Sequence, residues 1–257
     1  RKVCFVFCGQ GPQWYGMGRE LLLTTPKFRD YAEELTAHFD ALPLDWDVRD
    51  EMSKMDDDES CLDQTKVAQV ILFLFHAGLA HHLESVGVPC DAVIGHSLGE
   101  VGAACHAGIL APAVAARLVF ERAALMQQTT GKGKMCAVAL TAAEAQPIVD
   151  RYGGRICISC YNGPRHIVVA GDEPTLADCV AALRAAHPAA HAQMLPVNYV
   201  FHSPQLDFAV PLLTAALQPF YRAQDGREGV AMYSTVTGAR IAPADLTPAY
   251  WGAQIRR

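Results

Sequence analysis

Short apolar runs alternate with stretches of helical spacing along the first half of the chain. Residues 3–7 and 91–94 are apolar runs next to polar or turn-forming residues, which predicts two buried strands. Apolar residues at helical spacing predict a helix that starts over 16–23, a core helix over 67–83 and a helix from 100 to about 108. Strands followed by helices in this order favour an α/β domain with a mainly parallel sheet.

The middle of the chain follows a different order. Its predicted elements are a strand at 134–140, a helix at 142–152, strands at 155–160 and 166–170, a helix at 175–187 and a last strand near 193–197. This β-α-β-β-α-β order is the ferredoxin-like pattern. We therefore predict a ferredoxin-like small domain, residues 132–196, inserted into a larger α/β domain formed by residues 1–131 and 197–257.

The amino-acid composition excludes several classes of protein. Of the 257 residues, 51% are hydrophobic, which excludes a disordered or fibrous chain. Lys and Arg number 21 against 27 Asp and Glu, and the net charge of −6 argues against binding to nucleic acid. The most acidic stretch, Asp56 to Glu59, is interpreted as a solvated loop, because no His or spaced carboxylates accompany it as metal ligands. We expect no metal site.

The cysteines, the N-terminal segment and the longest apolar run indicate in which cellular compartment the protein is expected. Nine cysteines, an odd number scattered over the chain, favour unpaired thiols in a reducing compartment. Cys157 and Cys160 form a C-x-x-C in a predicted strand, which is typical of buried thiols but is also the spacing of a redox or zinc site. No secretion signal precedes the first predicted strand, and the longest apolar run, 70–75, is too short to cross a bilayer. We expect a cytoplasmic protein that does not bind membranes.

The segment GHSLG, residues 95–99, matches G-x-S-x-G between a predicted strand and a predicted helix. A sharp strand-to-helix turn lifts the serine hydroxyl out of the sheet, and small residues on both sides let the two segments approach closely. The N–H groups at the start of the following helix suit a developing oxyanion. The motif predicts that Ser97 is a nucleophile, and a purely structural turn is the alternative.

A serine nucleophile needs a base within hydrogen-bond reach. The chain has ten histidines, several of which fall on helical patterns and are interpreted as surface or core residues. His202 lies instead in a predicted loop downstream of the serine, where hydrolase-like folds place their base. His202 is therefore the candidate base.

These motifs together resemble the malonyl-CoA:acyl-carrier-protein acyltransferases, in particular the acyltransferase domains of polyketide synthases and animal-type fatty acid synthases. The matching segments run from position 5 to position 251 in the family's order. They are FVFCGQGPQW at 5–14, LDQT at 62–65 leading to Gln69, GHSLGE at 95–100, ERAALMQ at 121–127, YNGP at 161–164, FHSP at 201–204 and YW at 250–251. The fold implied is an α/β-hydrolase-like large domain with a ferredoxin-like small domain.

The resemblance implies the catalytic roles. Ser97 would take the acyl group as an ester, and His202 would be its general base and then the acid for the departing thiol. The backbone N–H groups of Gln10 and Leu98 would form the oxyanion hole. Family members orient the histidine through a backbone carbonyl, so a Ser–His dyad is expected rather than a triad.

Substrate contacts are implied in the same way. Arg122 would bind the free carboxylate of the substrate, because a guanidinium offers two parallel hydrogen bonds to a carboxylate. Without the family, Arg122 is equally well interpreted as a surface arginine. Gln69 and Asn162 match polar positions near the same pocket.

Two residues near the base are expected to determine which acyl group the enzyme accepts. In the family, Phe immediately before the base accompanies malonyl selection, so Phe201 favours malonyl, since its ring would crowd an α-methyl group. Tyr199 resembles the methylmalonyl pattern instead. One methyl group in an apolar pocket is worth only about 1–3 kcal/mol. We expect malonyl selection with leakage toward methylmalonyl.

The implied reaction moves a malonyl group from coenzyme A, through an ester on the serine, to the phosphopantetheine thiol of an acyl carrier protein. No bound cofactor is implied. Family members continue past the position matching Arg257, so the resemblance implies a domain cut from a multidomain enzyme with a neighbouring ketosynthase domain. Three alternatives stay open: a methylmalonyl-selective or dual-specificity acyltransferase, a thioesterase-type serine hydrolase, and a non-catalytic domain that only docks a carrier protein.

Overall fold

The structure is a computed structural model that describes residues 1–54 and 57–257. The helices found there are α1 (Arg19–Thr24), α2 (Pro26–Asp40), α3 (Val48–Ser53), α4 (Thr65–Ser85), α5 (Gly99–His106), α6 (Pro112–Gln127), α7 (Ala142–Val149), α8 (Glu173–Ala186), α9 (Ala209–Leu217) and α10 (Pro248–Arg256). The strands are β1 (Cys4–Phe7), β2 (Ala92–Gly95), β3 (Lys134–Val138), β4 (Ile156–Gly163), β5 (His166–Gly171), β6 (Ala192–Met194), β7 (Ala231–Ser234) and β8 (Ala239–Arg240).

The chain divides into two compact units, each formed by two segments. The large unit comprises Arg1–Ala124 and Leu213–Trp251, and the small unit comprises Leu125–Leu212 and Gly252–Arg257. The small unit includes the whole predicted insertion, residues 132–196. The exact limits 132 and 196 stay a prediction.

The large unit is built on a sheet with the strand order β1-β2-β7-β8 in the described part of the chain. Strands β1, β2 and β7 are parallel, and β8 pairs antiparallel with β7. The predicted parallel α/β arrangement is therefore confirmed. Because the carboxyl ends of β1 and β2 lie at the same edge, the loop after β1 and the turn after β2 come together there.

Helix α4 is the core helix of the large unit. It extends the predicted range 67–83 by two residues at each end, and its side chains are buried along most of its length. By length and composition alone it could also cross a membrane, although its apolar run 70–75 is short. However, 61% of its most apolar window is buried inside the protein, which is how a core helix behaves.

The small unit confirms the ferredoxin-like order β3-α7-β4-β5-α8-β6. Its described strands form an antiparallel sheet in the order β4-β5-β3-β6. Buried side chains of the sheet and of both helices form its core, among them Val138, Ile148, Val169, Leu176 and Leu183. Caps fix the helix starts: Thr141 and Glu144 form a capping box on α7, and Asp172 accepts from the N–H of Thr175 on α8.

The acidic stretch and the cysteines can be located within the described ranges. Asp57–Glu59 form an exposed 3₁₀ turn, as expected for a solvated loop, whereas Asp56 lies outside the described residues. All nine cysteines lie in the described ranges and are unpaired. Burial raises the pKa of Cys157 to about 11 and also raises the pKa of Cys160, so both thiols of the C-x-x-C are poor nucleophiles.

Candidate active site

Ser97 occupies the sharp turn between β2 and α5. Its backbone has φ = 52°, in the left-handed region that a serine rarely adopts. The glycines on both sides are required by close approach: a Cβ at Gly95 would overlap the backbone nitrogen of Glu100, and a Cβ at Gly99 would overlap the carbonyl oxygen of Phe7. The turn therefore has the strained geometry of a nucleophile elbow, as the motif predicts.

Arg122 brings a buried cation to the serine. Its guanidinium lies on α6, is 1% exposed, and donates from Nη2 to Oγ of Ser97 at 2.7 Å and from Nη1 to Oε1 of Gln69 at 2.6 Å. A serine Oγ has one hydrogen and two lone pairs, so accepting from Arg122 leaves its hydrogen available for a base. Burial lowers the pKa of Arg122 to about 9, which still leaves it charged at neutral pH. The interpretation of Arg122 as a surface residue is therefore wrong.

Two glutamines extend this hydrogen-bond network within the large unit. Gln69, fully buried on α4, donates to Oε1 of Gln10 at 3.3 Å, and Gln10 donates to Oγ1 of Thr65 at 3.3 Å. Gln10 lies in the loop after β1, next to the elbow after β2. Hydrogen bonds thus connect Ser97, Arg122, Gln69 and Gln10, which the sequence analysis named separately.

The backbone N–H groups at the start of α5 are candidate donors to an oxyanion. Those of Gly99, Glu100 and Val101 donate to the carbonyl oxygens of residues 96, 97 and 98. They are therefore occupied within the elbow itself. Leu98, the residue after the serine, stays the predicted donor together with Gln10.

The remaining predicted residues lie in the small unit. Tyr199 and Phe201 are buried and stack with their ring centroids 3.8 Å apart and their planes 10° apart. His202 follows with φ = 53°, a second left-handed backbone, and is 7% exposed. Ser203 fixes the end of this loop, because its hydroxyl donates to the carbonyl of Val200 and accepts from the N–H of Gln205. Asn162, in contrast, lies exposed on β4.

Glu100 lies close to Ser97 in sequence, but its sequence context did not identify it as a residue of the site. It is 0% exposed and lies one turn after Ser97 on α5. Its carboxylate accepts from residues 135 and 150 positions further along the chain, Thr235 and Tyr250. The available signal was a glutamate at the start of an otherwise apolar helix. Partners so distant in sequence leave no local pattern.

One described group of side chains has the composition of a metal site. Potential ligand atoms of Glu84, Cys90 and His106 lie within 4.8 Å of one another in the large unit. Both carboxylate oxygens of Glu84 accept from the guanidinium of Arg227, at 2.8 and 3.0 Å. The cation that balances this carboxylate is therefore an arginine, and we assign no metal to the group.

Comparison with known sequences identifies relatives of the whole chain. The sequence model of the family described as "Acyl transferase domain" matches residues 4–257. The chain is 37% identical over 258 residues to polyketide synthase GfsE of Streptomyces halstedii and 37% identical over 264 residues to erythronolide synthase EryA3 of Saccharopolyspora erythraea. All of the chain is covered in both comparisons, but it spans only 6% and 8% of the lengths of these two proteins.

Solved structures show the same relationship. A loading acyltransferase from the avermectin modular polyketide synthase matches with a TM-score of 0.89 and 36% identity, over 98% of this chain and 78% of that chain. MCAT from Streptococcus pneumoniae matches with a TM-score of 0.86 and 25% identity, over 99% of this chain and 81% of that chain. Together with the strained serine and its buried arginine, these matches show that the chain is an acyltransferase enzyme and belongs to the acyl transferase domain family.

Proposed function

We propose that this acyltransferase loads malonyl groups from coenzyme A onto the phosphopantetheine thiol of an acyl carrier protein. Ser97 is the nucleophile, His202 the base, and the N–H groups of Gln10 and Leu98 form the oxyanion hole. Arg122 binds the free carboxylate of the malonyl group. The reaction needs no bound cofactor.

The observation that carries this proposal is the hydrogen bond from the buried guanidinium of Arg122 to Oγ of Ser97. The guanidinium lies beside the atom that would carry the acyl group, and its planar set of donors suits a free carboxylate on that group. A malonyl group on Ser97 carries its free carboxylate three carbons from the ester oxygen, within reach of such a side chain. A thioesterase that acts on neutral acyl chains would not need a buried guanidinium beside its nucleophile.

The first half-reaction forms the ester. His202 takes the proton of Ser97 as Oγ attacks the thioester carbonyl, and the N–H groups of Gln10 and Leu98 hold the resulting oxyanion. Collapse of the tetrahedral intermediate breaks the C–S bond, and the proton on His202 passes to the departing coenzyme A thiolate. Losing one oxyanion donor typically raises such a barrier by about 3–4 kcal/mol.

The second half-reaction repeats these steps with the carrier thiol. His202 takes the proton of the phosphopantetheine thiol, the sulfur attacks the ester carbonyl, and the C–O bond to Ser97 breaks as its oxygen is reprotonated. Water must be excluded from the ester meanwhile, because otherwise the enzyme would hydrolyse its substrate. The carrier protein and a neighbouring ketosynthase domain are the proposed partners, and the cytoplasm is the proposed location.

Exposure to a panel of acyl-CoAs tests the proposed function directly. The protein is mixed separately with malonyl-, methylmalonyl- and acetyl-CoA and its intact mass is measured after a short reaction. We expect a malonyl adduct to form fastest and to disappear when a carrier protein bearing phosphopantetheine is added, with acylation of the carrier. Release of free malonate without an adduct would identify a hydrolase, and no turnover would identify a docking domain.

Replacing Phe201 by serine tests the proposed selectivity. The Phe201 ring is 5% exposed and stacked on Tyr199, so its removal opens volume beside the base. We expect methylmalonyl use to rise relative to malonyl by about tenfold, the lower end of what one methyl group contributes. A competition assay with both thioesters measures the ratio, and an unchanged ratio would show that the ring does not limit the acyl group.

A further inference from the structure

Thr65 is the first residue of α4, and its side chain is buried. Its Oγ1 accepts from Nε2 of Gln10 at 3.3 Å, and Oε1 of Gln10 accepts from Nε2 of Gln69 at 3.3 Å. Thr65 and Gln69 lie one helical turn apart on the same face of α4. The amide of Gln10 therefore reaches from the loop after β1 to one helix and is held there at both of its ends.

The direction of these hydrogen bonds follows from Arg122. A guanidinium only donates, so the oxygen of the Gln69 amide faces it, at 2.6 Å. The nitrogen of Gln69 then faces Gln10, whose oxygen accepts from it. The nitrogen of Gln10 is left for Thr65, whose hydroxyl oxygen is the acceptor at the end of the series. Without that acceptor Gln10 could not simply turn its amide over, because its nitrogen would then face the nitrogen of Gln69.

The backbone of Gln10 lies beside the elbow. Gly9, the residue before it, is packed against the turn: a Cβ at Gly9 would lie 2.7 Å from Nδ1 of His96 and 3.4 Å from Cβ of Ser97. The backbone conformation of a residue and the rotamer of its side chain depend on each other. The contacts that fix the Gln10 side chain therefore also restrict the direction of the Gln10 N–H beside the serine.

We propose that Thr65 is a positioning residue for the oxyanion hole: its hydroxyl oxygen anchors the Gln10 amide and thereby aims the Gln10 N–H at the developing oxyanion. This inference rests on the proposed function, in which the N–H groups of Gln10 and Leu98 hold the oxyanion. Thr65 acts through Gln10 and not by contact with the reacting atoms. A donor that is already aimed needs no reorientation as the charge develops, so loosening it weakens the transition state.

Thr65→Val tests this role, because valine has nearly the shape of threonine but offers no hydrogen-bond acceptor. Rates of acyl-enzyme formation are measured with malonyl-CoA and with acetyl-CoA over a range of concentrations. We expect the limiting rate to fall about tenfold with both thioesters, less than the roughly 100- to 1,000-fold that follows complete loss of an oxyanion donor. The half-saturating concentration should stay the same, since the oxyanion exists only in the transition state and intermediate. A wild-type limiting rate would contradict the proposal.

The ratio of the malonyl rate to the acetyl rate shows where the substitution acts. In Thr65→Val, Gln69 still has Gln10 and Arg122 as partners, so the arginine is expected to stay in place. Both rates should therefore fall together and leave their ratio unchanged. A loss confined to malonyl would mean that Thr65 acts on the carboxylate-binding arginine, which would contradict a role at the oxyanion hole.

Two substitutions control for packing. Thr65→Ser keeps the hydroxyl and is expected to react at close to the wild-type rate. If it were as slow as Thr65→Val, the methyl group and not the acceptor would be what matters, and the proposal would be wrong. Thr36→Val removes another buried threonine hydroxyl of the large unit, which donates to the carbonyl oxygen of Ala32 at 2.8 Å. Its rates should match those of the wild type.

Gln10→Ala completes a double-mutant cycle, since it deletes the amide side chain but keeps the backbone N–H. Thr65→Val should slow the wild-type protein and have no further effect in Gln10→Ala. Reductions that multiply would show that Thr65 does not act through Gln10. Should Thr65→Val not fold, Thr65→Ala takes its place in the cycle with the same expected result.

The outcomes distinguish this inference from the function on which it rests. If the wild-type protein forms no malonyl adduct, the proposed function is wrong. If the adduct forms and Thr65→Val keeps the wild-type rate, only the role of Thr65 is wrong.

Discussion

Replacing Ser97 by alanine is expected to abolish the acyl-enzyme and to lower acyl transfer by at least about 1,000-fold. The alanine has no oxygen to form the ester, and the groups that surround it cannot supply one. The elbow itself should survive, since alanine and serine meet a similar steric cost at φ = 52°. Radiolabelled malonyl-CoA followed by gel separation, or intact mass, measures the covalent label.

The control for this variant is another serine whose hydroxyl has a purely structural bond. Ser85 lies exposed at the end of α4 and donates to the carbonyl oxygen of His82. Ser85→Ala should label like the wild type, and circular dichroism of both variants should match. Persistent labelling of Ser97→Ala would mean that another residue is the nucleophile.

Local signals in the sequence predicted the elbow and the small unit well. A strand, a turn with two glycines and a helix follow one another within residues 92–106, and the two glycines are the positions where a Cβ would overlap the neighbouring backbone. In the small unit, each element has its own apolar period and turn residues between it and the next. Short-range patterns suffice where an element's neighbours in space are also its neighbours in sequence.

Elements of the large unit that depend on distant partners were missed. Strand β7 is only four residues, Ala231–Ser234, and pairs with β2 more than 130 residues earlier, so its own sequence hardly differs from a loop.

Helix α2 was also not predicted, although its signal is local: it has Pro26 in its first turn and buries Phe28, Ala32, Leu35 and Phe39 at helical spacing. That pattern was present and could have been found.

The sequence predicted individual residues of the site but not how they are arranged in space. Sequence spacing alone could not decide whether Arg122 is buried, because that depends on how α6 packs in the large unit. The family resemblance supplied the assignment, and the hydrogen bond to Ser97 now gives it a physical basis. Glu100, whose partners are 135 and 150 residues away, required the structure. The approach of His202 to Ser97 remains part of the proposed mechanism.

Replacing Arg122 by alanine is expected to convert the enzyme from malonyl to acetyl preference. Loss of the guanidinium leaves the malonyl carboxylate in a buried pocket without its charged partner, which typically costs about 2–5 kcal/mol. Malonyl-enzyme formation should therefore fall by about 30-fold to about 4,000-fold, whereas acetyl transfer, which makes no such contact, should be retained or rise. Parallel rate measurements with malonyl-CoA and acetyl-CoA give the ratio.

Two further variants make this result interpretable. Arg122→Ala also removes the hydrogen bonds that the guanidinium donates to Ser97 and Gln69 in the buried interior, so the variant is expected to be less stable. Arg122→Lys keeps the charge but not the planar pair of donors, and should lose part of the malonyl preference while remaining folded. Arg117→Ala, on the same helix but paired with Glu121 at 2.6 Å, should leave the ratio unchanged. If folded Arg122→Ala and Arg122→Lys both kept the wild-type ratio, the carboxylate would be bound elsewhere, and the buried arginine would serve only to orient Ser97.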